Sequence, residues 1–185
     1  MIYQLSSFLS YSRLKYFVFF SLLLYSYVTI GDLMGLKFTI KEFADQGKIP
    51  EVFTCDGSNR IPTINWQNVP KETISLVLIM DDPDAPKGTW DHWLVFNIPA
   101  TVTTISQQQP LPKNALNGKN SSGTLNYVGP CPPDREHRYF FTLYALDTTL
   151  KLSEGASKSQ ILQAMQKHIL EQVTIIGLYD RPRKK

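Results

Sequence analysis

The sequence predicts a mainly antiparallel β fold with few helices. Short apolar or alternating runs dominate the chain, long proline-rich connections separate them, and a helical stripe occurs once, near the C-terminus. No strand–helix–strand rhythm runs through it, which disfavours a parallel sheet wrapped by helices.

The elements follow in order. Leu36, Phe38 and Ile40 alternate with Lys37, Thr39 and Lys41, the pattern of a strand with one buried face. "ADQGKIP" interrupts it, "EVFTCDGSNRIP" reads as a loop, and "TINWQNVP" as a short strand ended by Pro70. "ISLVLIM" is apolar on both faces and predicts a central strand, and "WLVFNIP" predicts another, stopped by Pro99. Residues 101–128 are polar and rich in Gln, Asn, Ser and Gly, a length that marks a functional or mobile segment in a compact domain. "HRYFFTLYAL" is a third strongly apolar strand. Ser157 and Gln160 fit a capping box that opens a helix, and Ile161, Leu162, Met165 and Ile169 supply its apolar stripe. His168 is expected on the face of that helix, and "VTIIGLYD" reads as a closing strand.

With 185 residues, 43% hydrophobic and 19% charged, the chain has enough core for one globular domain that does not depend on disulfides. The net charge of +3 is unevenly placed. Arg13, Lys15 and Asp32 lie before Leu36, and Arg181, Arg183, Lys184 and Lys185 end the chain; of 19 basic and 16 acidic residues, 13 and 15 remain between Leu36 and Asp180. That part is mildly acidic, which argues against nucleic-acid binding through a basic face.

The domain organisation read from this is a hydrophobic leader over residues 1–35, one domain over 36–181, and a basic tail over 182–185. Tyr16 to Ile30 is nearly free of charge and follows Arg13 and Lys15, like a signal-peptide core or a short membrane anchor. It falls short of the roughly 20 apolar residues that span a bilayer. Met34 opens "MGLKFTIKEF". If Met34 is the true start the protein is cytoplasmic; the alternative is export or anchoring through residues 13–30.

Two patches carry candidate chemistry. In "MDDPDAPKGTWDHW", Asp81, Asp82, Asp84, Asp91 and His92 crowd the mouth of a core strand, where like charges losing water cost several kcal/mol unless compensated, by rough estimate. Pro83 and Pro86 bias the residues before them towards extended geometry, so the carboxylates sit on a stiff loop. In "GPCPPDREHRY", prolines and a glycine build a wall before a strand on which His137 and Tyr139 share one face. Taken singly, an acidic surface turn would account for the first patch, and the second is equally ambiguous.

Together they are specific. "DDPDAP", the W-x-H of "TWDHWLVFNIP", "GPCPP" and "HRYFFTLYALD", with "TCDG", "GASKSQILQAMQKHIL" and "GLYDR", resemble the phosphatidylethanolamine-binding protein family. The likeness is to its bacterial and archaeal Raf-kinase-inhibitor-like branch, and it covers residues 36–181. The resemblance implies a central antiparallel sheet packed on a smaller one, a C-terminal helix, and a small anion-accepting pocket. Carried over by position, that pocket is built from Asp82, Asp84, Trp90, His92, Pro132, His137 and Tyr139, with Cys131 in place of a small wall residue. It implies a small phosphate-containing ligand such as a phospholipid head group, a kinase or protease as a further partner, and no cofactor.

An aspartate-lined anion pocket makes sense if a carboxylate accepts from one imidazole nitrogen and favours imidazolium, leaving the other N–H to donate to phosphate. Asp82 or Asp84 is expected to support His92 or His137 in this way, with Asp81 and Asp91 facing solvent. A free carboxylate could accept from an amine, so phosphoethanolamine suits both signs. The alternative is a hydrolase or metal-dependent enzyme using Cys131 and His137 or the Asp/His set. Against it, Cys131 sits between two prolines with no helix N-terminus to activate it, and the spacing matches no metal-ligand pattern. Cys55 and Cys131, the only cysteines, form no zinc motif; they can pair if the compartment is oxidising and the fold brings them together.

Overall fold

The computed structural model describes residues 35–182. The leader readings and the last three residues of the tail lie outside them. Among the described residues, no helix is long and apolar enough to cross a membrane.

Among the described residues, nine strands and one α-helix follow in chain order: β1 (Lys37–Ile40), β2 (Gly47–Lys48), β3 (Ile64–Gln67), β4 (Ser75–Asp82), β5 (Trp90–Pro99), β6 (Thr104–Ile105), β7 (Leu116–Asn117), β8 (His137–Leu146), α1 (Lys158–Met165) and β9 (Ile169–Tyr179), with a 3-10 turn at Glu51–Phe53. They form a six-stranded sheet, β2-β9-β8-β4-β5-β7, and a three-stranded sheet, β1-β3-β6. All pairings are antiparallel except the two-residue contact of β2 with β9. This is the mainly β arrangement that the period-two patterning predicts.

Alternation along β4 explains the layers. Leu76, Leu78 and Met80 face Phe38, Ile64 and Trp66 of the small sheet. Val77 and Ile79 face the other way, against Ile161 and Met165 of α1. A strand covered on both faces has no solvent side, hence the unbroken apolar run.

The ends of elements depart from the sequence expectation. Ile74 is 55% exposed and precedes β4. The capping box at Ser157 and Gln160 is present, but α1 ends at Met165. His168 then leaves the helix face for the connection, where its backbone and Nδ1 both bond Asp147. Ile169 consequently starts β9 instead of extending the stripe, and it is exposed, as is Leu162. The polar segment 101–128 contributes β6 and β7 and is held by Asn120, whose side-chain NH2 donates to the His92 and Asn126 carbonyls and to Thr124 Oγ1.

Candidate functional site

Three strand ends meet at one end of the large sheet. Asp82 ends β4, His92 lies near the start of β5, and His137 opens β8. Alternation puts Asp82 on the face of Met80, and His137 on the face of Tyr139 and Phe141. His92 arrives there by irregularity. The β4–β5 register passes from Met80↔Trp93 to Asp81↔Asp91, so His92 is an extra residue, a bulge that re-aims its side chain.

The wall opposite is backbone. Residues 127–131 are tied to the 53–59 loop by Tyr127 Oη donating to the Phe53 carbonyl (2.8 Å), Gly129 N–H to Asn59 Oδ1 (2.7 Å), and a Cys55–Cys131 disulfide. A Cβ at Gly129 would come within 2.3 Å of the Phe53 carbonyl oxygen, so only glycine lets these segments approach.

Asp82, His92, Val128, Gly129, Cys131 and His137, with residues 85–88, Trp90 and Pro133, enclose a cavity of about 360 Å³. His137 is fully buried; Nδ1 lies 2.7 Å from Asp82 Oδ2 and Nε2 2.9 Å from Asp134 Oδ1. Burial disfavours its charge, but the two carboxylate hydrogen bonds outweigh burial and raise its pKa above the ordinary histidine value. His92 is different. Its Nδ1 donates to the Val128 carbonyl at 2.6 Å, which fixes the proton there. Burial is the largest influence and holds its pKa below the usual value, against the fields of Asp82, Asp81 and Asp91. Of the expected carboxylate–imidazole pairs the structure forms Asp82 with His137, and the two imidazoles differ: their surroundings favour the charged form at His137 and the neutral form at His92, whose Nδ1 is held by Val128.

The other expected residues take separate places. Trp90, 40% exposed, stands at the cavity mouth. Tyr139 does not line the cavity; it packs beneath, its ring centroid 5.2 Å from that of His92 and 6.5 Å from that of His137. Asp84 points outward into a two-pronged pair with Arg138, 2.8 Å for each prong, and that guanidinium holds its carboxyl at about 2. Buried Pro132 lines a neighbouring cavity together with Asp134.

Asp81 and Asp91 are not free in solvent. They face α1 as a cross-strand pair and share the Lys158 ammonium, which is 3.0 Å from Asp91 Oδ1. The reason is alternation: Asp81 points opposite to Asp82. Sequence reasoning overlooked Lys87, which lines the cavity without an ion pair among the described residues, and Asp134. Both lie inside the quoted motifs, and Asp134 precedes His137 by three residues.

The family model for phosphatidylethanolamine-binding protein matches residues 39–180. A UPF0098 protein of Methanothermobacter thermautotrophicus is 52% identical over 143 residues, 75% of this chain and 95% of that one. Among solved structures, a phosphatidylethanolamine-binding protein homologue of Chlamydia trachomatis superimposes with a TM-score of 0.76 at 37% identity, covering 80% of this chain and 99% of that one. E. coli YbcL, described as a member of the mammalian family, gives 0.74 at 29% identity, covering 80% and 100%.

Proposed function

Since the chain belongs to the phosphatidylethanolamine-binding protein family, a family of ligand-binding proteins, we propose that its cavity binds a small phosphate-bearing ligand of the head-group type. The observation that carries this reading is His137, a buried imidazole held by two carboxylates that raise its pKa, lining a cavity whose walls are otherwise mostly apolar. Little water screens a charge on so buried an imidazole, so an anion that replaces one of its carboxylate partners is held more strongly than at an exposed cation. Lys87 at the cavity lining supplies a second positive charge, and His92, its Nδ1 held by the Val128 carbonyl, can accept through Nε2 from a protonated phosphate oxygen or an amine.

A cavity of about 360 Å³ is at the small end of ligand pockets, which run roughly 300–1,000 Å³. It suits a head group better than a whole lipid. Cys131, bonded to Cys55, carries no thiolate, so this reading gives it a wall role and not that of a nucleophile.

Calorimetric titration with inorganic phosphate, phosphoethanolamine and glycerophosphoethanolamine tests the reading. Binding is expected, weakening as pH rises through the elevated His137 pKa. His137→Ala is expected to weaken it by about 1.5–3 kcal/mol, one charge-assisted hydrogen bond. Absence of binding by all three, or an unchanged affinity in His137→Ala, would overturn the proposal.

A further inference from the structure

His137 has only two N–H groups to give, and both are already taken. Asp82, 5% exposed, holds Nδ1, and Asp134, 54% exposed, holds Nε2. An incoming anion reaches the imidazolium only by replacing one of these carboxylates. Asp82 is locked in place, since its other oxygen accepts the Asp84 backbone N–H at 2.8 Å. Asp134 sits on the turn before β8 and also lines the neighbouring cavity, so its side chain has open space into which it can rotate.

We propose that Asp134 is a specificity-determining residue: its carboxylate occupies the anion position at His137 Nε2 and favours phosphate esters that carry their own ammonium over bare phosphate. This rests on the phosphate-binding reading above. Asp82 and Asp134 set two carboxylates against the one imidazole, with the Lys87 ammonium on the cavity lining as the other cation. Bare phosphate must displace Asp134 and then lie beside a carboxylate that has lost its partner. Phosphoethanolamine also displaces it, but its ammonium, two methylenes from the phosphate oxygen, can bond the released carboxylate. Like-charge repulsion thus penalises one ligand and is cancelled in the other.

The test compares the full-length chain with Asp134→Ala, which vacates the position, and Asp134→Asn, which keeps an acceptor without charge. Inorganic phosphate and phosphoethanolamine are titrated into each by calorimetry. Wild type is expected to prefer phosphoethanolamine. Asp134→Ala is expected to bind inorganic phosphate about tenfold tighter, the low end for one charge-assisted hydrogen bond no longer contested, and to lose most of the preference. Asp134→Asn should fall between. An unchanged ratio, or phosphate binding that stays the same or weakens in Asp134→Ala, would overturn the role of Asp134 while leaving phosphate binding intact. Silence of all three proteins towards both probes would remove the phosphate reading and this inference with it.

A second readout needs no ligand. The titratable groups facing His137 are Asp82 from β4, Asp134 from the preceding turn, Tyr139 beside it and Tyr179 opposite on β9. Removing Asp134 should lower the His137 pKa measured by NMR, because one of its two carboxylates is gone. No change in that pKa would show that Asp134 does not hold Nε2 in solution and would also overturn the inference.

Discussion

Replacing Asp82 by asparagine removes a negative charge from a cavity proposed to hold an anion, yet it should weaken phosphate binding. One carboxylate oxygen accepts Asp84 N–H at 2.8 Å and the other faces His137 Nδ1 at 2.7 Å, so Asp82 serves two donors at once. An asparagine offers one acceptor oxygen and one NH2. If the oxygen stays with Asp84, the NH2 confronts Nδ1, which must give up its proton, and the imidazole becomes neutral. If the oxygen turns to His137, the NH2 confronts the Asp84 N–H. Either arrangement loses a charge-assisted hydrogen bond, about 1.5–3 kcal/mol, and each unit by which the His137 pKa falls accounts for about 1.4 kcal/mol of that. The expected result is phosphate or phosphoethanolamine affinity lower by about 10- to 100-fold. Calorimetry at pH 6 and pH 8 measures it, with the His137 titration followed by NMR in the same samples. The loss should be larger at pH 8, where wild type keeps more of its imidazolium. Tighter phosphate binding by Asp82→Asn would refute the reasoning, because it would mean the carboxylate acts simply as a repelling charge.

Three further outcomes follow from other parts of the fold. Lys158→Ala leaves Asp81 and Asp91 facing each other across β4 and β5; because these groups are about one-fifth exposed, the expected destabilisation in urea is about 2–3 kcal/mol, below the roughly 3–5 kcal/mol for a fully buried pair. A loss under about 0.5 kcal/mol would rank the cluster with ordinary surface pairs. The disulfide closes a separation of 76 residues, so Cys55→Ser with Cys131→Ser should cost up to about 4–5 kcal/mol against the oxidised protein by the loop-entropy relation; equal urea midpoints would show that the constraint adds nothing. Asp84, whose carboxyl lies at about 2 in the fold against 3.8 otherwise, contributes stability that is present above 3.8 and lost as pH falls through about 2. Asp84→Asn should therefore flatten the decline of stability below pH 4, and a decline as steep as that of wild type would contradict the Arg138 pairing.

What the sequence determined by itself was local. "HRYFFTLYAL" is the whole of β8, with His137 and Tyr139 on the buried face, because side-chain alternation depends only on the strand itself. Ser157 and Gln160 cap α1 as their spacing predicts, since a capping box closes within four residues. The spaced motifs were enough to reach the family, and with it the two-sheet architecture. Tertiary structure decided the rest. His92 reaches the cavity through a bulge in the β4–β5 register, and register is a property of two strands together. Asp81 and Asp91 look like solvated charges until Lys158, far along the chain, packs beneath them. Asp84 and Asp82 are indistinguishable in the motif; one bonds Arg138 outside and the other His137 inside, because the turn after β4 sends them in opposite directions. The charge states of the histidines depended on it too. His92 is buried against a carbonyl, which with burial favours its neutral form, His137 is buried between two carboxylates that favour its charged form, and only packing assigns those neighbours.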